Sequence, residues 1–182
     1  FHGVMPLEIV VDTKKRYGLA GMKALAVFEK VDSLAMYISS KEEMNRPLSV
    51  AEGLKFAKQA FFEGDSANYL LPNSFDGAFV GEYLRPAKGD SNNKNSLAKM
   101  ISSFIDTARQ STRISVNMAD VGTEKLPILL NGIEQRANQL FDSSIYKVQL
   151  TGTSITFLEG SRFIVNGLKE SIFWAFLLIA LC

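Results

Sequence analysis

A catalytic site needs convergent groups of matched reactivity, and this sequence offers few of them. His2 is the single histidine and sits beside the first residue, so a Ser-His-Asp or Cys-His arrangement would depend on a terminal side chain. The single cysteine, Cys182, lies inside an apolar run, which removes a disulfide framework and a thiolate metal site together. Gly18-Leu-Ala-Gly-Met-Lys23 lacks the Walker spacing and the Ser or Thr that should follow its lysine, so it reads as a helix start and not as a phosphate loop. Asp12, Asp106 and Asp120 fall at the ends of predicted strands, where carboxylates commonly form solvated turns. No EF-hand spacing links them. The expectation is a protein that is not an enzyme, with no catalytic, cofactor-binding or metal-binding residue and no cofactor.

The distinctive side chains are aromatic. Phe56, Phe61, Phe62, Tyr69, Phe75, Phe79 and Tyr83 crowd one stretch. Two readings of them stay open: the core beneath an inserted helical segment, or an adaptable apolar wall with tyrosines supplying polar tips. On the second reading Phe61, Phe62, Tyr69, Phe75, Phe79 and Tyr83 face an apolar ligand.

The elements that must position these residues follow from periodicity. Pro6 to Asp12 alternates as a half-buried strand. Ala24, Val27, Phe28, Val31, Leu34, Ala35 and Ile38 recur at three and four, which predicts a helix over roughly Leu19 to Ser39. Ser49-Val-Ala-Glu52 has the capping-box spacing, with Glu52 reaching back to the cap, and opens a second helix to about Phe62. Glu63-Gly-Asp65 ends that helix, Leu71-Pro-Asn73 turns the chain, and Phe75, Phe79 and Tyr83 form one face of a short third helix. Ala87 to Ser96 is polar and low in complexity, an exposed loop. Arg113 to Asp120 alternates cleanly, and Met100 to Ile105 is the candidate strand within hairpin reach of it. Leu126, Leu129, Leu130, Ile133, Ala137, Leu140 and Phe141 make another amphipathic helix, with Pro127 expected in its first turn. Tyr146, Val148 and Leu150 alternate as the last strand. The order predicts an α+β fold of split βαβ, ferredoxin-like type: a two-layer sandwich of antiparallel sheet and helices, with a helical insertion at about 47–96.

One domain with its own core is what residues 1–150 can build. The formal net charge of +1 gives no field that would attract nucleic acid, so no nucleic-acid partner is expected. After residue 150 the character changes. From Ile172 the chain reads Ile-Phe-Trp-Ala-Phe-Leu-Leu-Ile-Ala-Leu-Cys without charge, Pro or Gly. That run covers roughly 17 Å at about 1.5 Å per residue, against the about 30 Å of a bilayer core. Extending it backwards would draw in Arg162, Asn166, Lys169 and Glu170, and each charge costs about 2.5 to 3.5 kcal/mol at the bilayer centre. The expectation is a transmembrane helix cut off in mid-membrane, with the membrane surface near Lys169 to Ser171, residues 151–170 as a juxtamembrane connector and 171–182 as the truncated span. The competing reading is a buried core helix.

Several segments carry a family resemblance. Pro6-Leu-Glu-Ile-Val-Val-Asp-Thr13, Arg46-Pro-Leu-Ser49, Tyr69-Leu-Leu-Pro72, Arg113-Ile-Ser-Val-Asn-Met118 and Thr151-Gly-Thr-Ser154, then Leu168-Lys-Glu-Ser171 and the apolar run, resemble an extracytoplasmic loop of the resistance-nodulation-division exporters. The branch is that of the mycobacterial-membrane-protein-large and Patched-like proteins. The resemblance implies a ferredoxin-like porter domain at residues 1–150 and a role in proton-driven export of lipids or other hydrophobic compounds. In such a domain Phe61, Phe62, Tyr69, Phe75, Phe79 and Tyr83 would line the substrate path. It places the chain in the inner (cytoplasmic) membrane with residues 1–170 on the extracytoplasmic side. Implied partners are the lipid bilayer, the remaining membrane helices and second porter domain of the same chain, a hydrophobic substrate and a homo-oligomer. The family's proton-relay carboxylates lie in other membrane helices, so none is assigned to a residue here. Competing readings are the ectodomain of a single-pass sensor and a lipid-binding domain.

Overall fold

The structure, a computed structural model, describes residues 5–21, 23–73, 76 and 99–181. Apart from Asp76, the predicted third helix from Phe75 to Tyr83 lies outside them, as does the polar stretch 87–96.

Strand β1 (Met5–Asp12) buries Leu7, Ile9 and Val11 and turns Glu8, Val10 and Asp12 the other way, as its alternation dictates. Helix α1 (Lys23–Ser39) lays Ala24, Val27, Phe28, Val31, Leu34, Ala35 and Ile38 on that buried face. It starts later than Leu19 because the chain first turns through Tyr17 and Gly21, both at positive φ. Strand β3 (Ser111–Met118) runs antiparallel to β1, pairing Met5 with Met118 and Asp12 with Ser111, and buries Ile114, Val116 and Met118. Helix α3 (Gly122–Leu140) covers the same face with Leu126, Leu130, Ile133 and Ala137. Pro127 falls in its second turn and not its first, since the helix already begins at Gly122. Strand β4 (Lys147–Thr151) closes the other edge of β1, with Val148 and Leu150 half-buried.

The partner of β3 is not the expected one. Residues 99–102 are helical, and Ile101 is buried against Gly53, so Met100 to Ile105 does not form a strand. The stretch meets the sheet only at its end, where Ile105 forms an isolated bridge to Thr112, flanked by bonds from the Arg113 N–H to the Phe104 carbonyl and from the Asp106 N–H to the Ser111 carbonyl. The place beside β3 is taken by β2 (Leu48–Ser49), which pairs with Ser115 and Ile114. Two constraints keep β2 this short. Pro47 has no N–H to extend the ladder, and Ser49 already serves as the N-cap of helix α2 (Val50–Phe61), its hydroxyl accepting from the Glu52 N–H.

The sheet order is β2-β3-β1-β4, antiparallel at every pairing. This is the ferredoxin-like arrangement of two split βαβ units, with α1, α2 and α3 on one face. Phe28 and Phe141 are the largest side chains wholly enclosed between the layers. Beyond β4 the chain turns through Gly152 into helix α4 (Thr153–Leu181).

Candidate functional site

Three features stand out against this frame: the joint to α4, a polar network under the insertion, and a pocket between α1 and α3.

Helix α4 is continuous over 29 residues, about 43 Å at about 1.5 Å per residue. It touches the domain only at its start. Ser154 and Leu158 are buried, while Phe163, Ile164, Leu168, Phe173, Trp174 and Phe176 are exposed. The reading as a buried core helix therefore fails. Among the described residues this is the one helix long and apolar enough to cross a membrane, and none of its most apolar 18-residue window is buried. The turn before it is tightly built. Gly152 adopts φ 113°, and a Cβ there would lie 2.8 Å from the Pro6 carbonyl oxygen.

The polar network joins α1 to α2. Glu52 does not reach back to its cap: its carboxylate accepts from Arg46 Nε at 2.9 Å, from the Tyr69 hydroxyl at 2.7 Å and from Lys55 Nζ at 3.4 Å. Lys55 also donates to Asp32 of α1, and both of these side chains are only 12% exposed. Arg46 Nη2 donates to the Tyr69 oxygen at 2.6 Å. Burial raises the Glu52 carboxyl, but the Tyr69 hydrogen bond and the charges of Arg46 and Lys55 outweigh it and hold the group below its ordinary value. Burial and the Glu52 carboxylate push the Tyr69 phenol up to about 12. A second bridge, Lys58 to Asp76 at 2.7 Å, fastens the far side of α2. One sequence signal could have revealed it: Asp32 falls on the stripe of α1 that the fold buries, and a buried carboxylate requires a cation nearby.

The aromatic set divides. Phe61 and Phe62 close α2 as a T-shaped pair with ring centroids 5.3 Å apart. At 64% and 43% exposure they are not core. Tyr69 belongs to the ion network, and its hydroxyl is committed to Glu52 and Arg46. Phe75, Phe79 and Tyr83 lie outside the described residues.

The pocket measures 370 Å³, within the range of small-ligand sites. Its walls include Tyr37 in the last turn of α1, Lys41 and Glu43 in the turn that follows, and Lys125, Ile128 and Leu129 of α3. Gly132 makes room for Tyr37, whose hydroxyl would stand 3.4 Å from a Cβ at that position. Lys41 Nζ lies 4.5 Å from the centre of the Tyr37 ring and the Arg136 guanidinium 5.9 Å from it. Nothing in the sequence pattern singled out this pocket, because its walls combine turn residues such as Lys41 and Glu43 with helix residues such as Lys125 and Ile128 that lie off the apolar stripe.

Among the described residues no group of three or more His, Cys, Asp or Glu could hold a metal ion. No family model matches the chain, and no curated protein matches it in sequence.

Proposed function

We propose that this chain is an extracytoplasmic porter-like domain with its adjoining membrane helix, part of a proton-driven exporter of lipids or other hydrophobic compounds of the resistance-nodulation-division type. Residues 1–170 face the extracytoplasmic side of the inner membrane. The domain works with further membrane helices, a second porter domain and, in an oligomer, further copies.

The observation that carries this reading is the joint. An edge strand of a ferredoxin-like sheet passes through one glycine into a helix that docks by its first turns alone and then extends as an exposed apolar rod. A joint of this kind converts a shift of the membrane helix into a tilt of the whole domain, as alternating access by rigid-body rocking requires. The exposed Phe61 and Phe62 pair supplies apolar surface for a substrate path. The site inventory, poor in nucleophiles and metal ligands, suits transport better than catalysis.

The test places Gly-Gly-Ser after Arg162 in the intact gene product, beyond the docked turns, and follows efflux of a hydrophobic fluorescent dye from cells. Expression and membrane insertion should be retained while efflux is abolished, and a protonophore should abolish it in the unaltered protein. Efflux that survives the insertion, or that ignores the protonophore, overturns the proposal.

A further inference from the structure

We infer that the end of the sheet farthest from α4 is a docking surface for the acidic face of another folded protein, with Lys15, Arg16, Tyr17 and Arg109 as its contact residues. The inference does not depend on export.

Backbone strain is the first argument. Among the described residues four non-glycines have positive φ, and three of them stand at this end: Lys14 at 54°, Tyr17 at 62° and Arg109 at 51°. Glycine or asparagine adopts such a conformation at less cost, so a lysine, tyrosine or arginine held there is a side chain kept for its contacts. Lys14 has its contact within the fold, since its ammonium donates to the Ser143 carbonyl at 2.7 Å. Tyr17 and Arg109 do not. Tyr17 is 57% exposed, with the Arg16 guanidinium 5.3 Å from its ring centre. Neither its hydroxyl nor the Arg109 guanidinium has a hydrogen bond or ion pair among the described residues. The backbone that displays them is nevertheless fixed: the Thr13, Tyr17 and Leu19 N–H groups donate to the Gln110, Ala108 and Arg109 carbonyls at 3.0, 3.0 and 2.8 Å.

Charge is the second. Residues 12–17, 106–111 and 142–147 meet here, because Asp12 pairs with both Ser111 and Lys147. They bring the cations Lys14, Lys15, Arg16, Arg109 and Lys147 against the carboxylates Asp12, Asp106 and Asp142. Each carboxylate is occupied by N–H groups of the turns: Asp12 by Lys14 and Gln110, Asp106 by Gln110 and Ser111, Asp142 by Ser144. Lys15, Arg16 and Arg109 are left without an ion pair among the described residues, and an acidic surface supplies what they lack.

Position and stiffness decide the kind of partner. Pro6, which ties down the foot of α4, stands at the other end of β1, about 20 Å away. A bilayer crossed by α4 beyond its exposed turns is therefore out of reach. A charged polysaccharide would be held as well by a mobile basic run and would gain nothing from strain. Arginine and tyrosine side chains on a fixed backbone favour a surface of matching shape. Pre-organisation lowers the cost of ordering at such a surface, and these two residue types dominate binding there.

The test places a benzophenone amino acid at position 17 of the intact gene product, in the cells that make it, and maps the photo-adducts by mass spectrometry. One protein should be cross-linked, through a segment rich in Asp and Glu. Lys15→Glu with Arg109→Glu should lower that adduct more than about tenfold, since like charges then face each other. Arg109→Gly separates docking from folding. Relief of the left-handed backbone should raise the thermal midpoint by about 2 to 4 °C, and the same variant should give less adduct. Absence of a protein adduct, an adduct to lipid or polysaccharide, a cross-linked segment without an acidic excess, or an adduct that survives the charge reversal overturns the inference. A midpoint that fails to rise in Arg109→Gly overturns it too, because the side chain then serves the fold.

Discussion

Ser154, the second residue of α4, donates its hydroxyl to the carbonyl of Pro6 at 2.9 Å, across 148 positions of sequence. The bond ties the foot of the apolar helix to the first turn of the central strand. Gly152 lets it form, since any side chain there would press on the same carbonyl.

The joint is thus expected to be sensitive to one methyl group. Gly152→Ala must hold an L-residue at φ 113° with its Cβ at 2.8 Å from an oxygen, which costs about 2 to 3 kcal/mol. Ser154→Ala removes one buried hydrogen bond and costs about 1 kcal/mol. Denaturant midpoints of the two variants check the order. A Gly152→Ala variant as stable as the parent contradicts the packed joint.

Tyr69 and Glu52 predict opposite pH limits for the insertion. The Glu52 carboxyl is held below its ordinary 4.5, so its folded form binds fewer protons than the unfolded form. Its contribution is present above that value and is lost as pH falls through the lowered one. The Tyr69 phenol is raised from 10.0 to about 12, so its contribution is whole below 10.0 and is lost as pH rises towards 12. Tyr69→Phe is expected to cost about 1.5 kcal/mol at neutral pH, the lower range for a hydrogen bond to a charged group. The deficit should shrink on acidification as Glu52 takes up its proton. Stability curves for parent and variant that run parallel from neutral pH into acid would contradict the coupling.

Periodicity made β1, β3, α1 and α3 legible, because each exposes one face and buries the other over several repeats. Strand β2 has two residues and no period to read. The apolar residues Met100, Ile101, Phe104 and Ile105 mimicked it, and what decides against them is distant: Ile101 packs into the space left by Gly53. The polar network was hidden for the same reason. Glu52 and Lys55 on α2 have the spacing of a solvated helix face, and only the approach of α1 turns Lys55 towards Asp32. From Ile172 onward composition narrowed α4 to a core helix or a membrane span, since a stretch apolar on all sides has no face to turn to water, and its exposure in the structure decides against the core.

Gly53 carries a prediction against helix propensity. Alanine in a helix interior is favoured over glycine by about 1 kcal/mol. At this position, however, a Cβ would meet Ile101 Cγ1 at 2.8 Å, and overpacking typically costs about 1 to 3 kcal/mol. Ile101 is fully buried and cannot swing aside, so Gly53→Ala should destabilise by about 1 kcal/mol net. In Ile101→Ala the added methyl should cost nothing, and a double-mutant cycle measures the coupling. Additive effects would show that the contact is not the reason for the glycine.

Trp174 is the single tryptophan, so its fluorescence reports on α4 alone. It is 53% exposed, lies four residues beyond Glu170 and forms an edge-on pair with Phe173 at 5.8 Å. A charged pair at Lys169 and Glu170 favours the headgroup region, and an indole placed one turn further favours the upper hydrocarbon boundary, where its N–H still finds partners. In vesicles the emission should therefore shift to the blue, with lipids brominated near the glycerol quenching it more strongly than lipids brominated near the chain ends. Lys169→Leu with Glu170→Leu removes the charges that hold the surface at this level, and the span should slide until deep bromines quench as well as shallow ones. Equal quenching at both depths in the unaltered chain would place the surface elsewhere along α4.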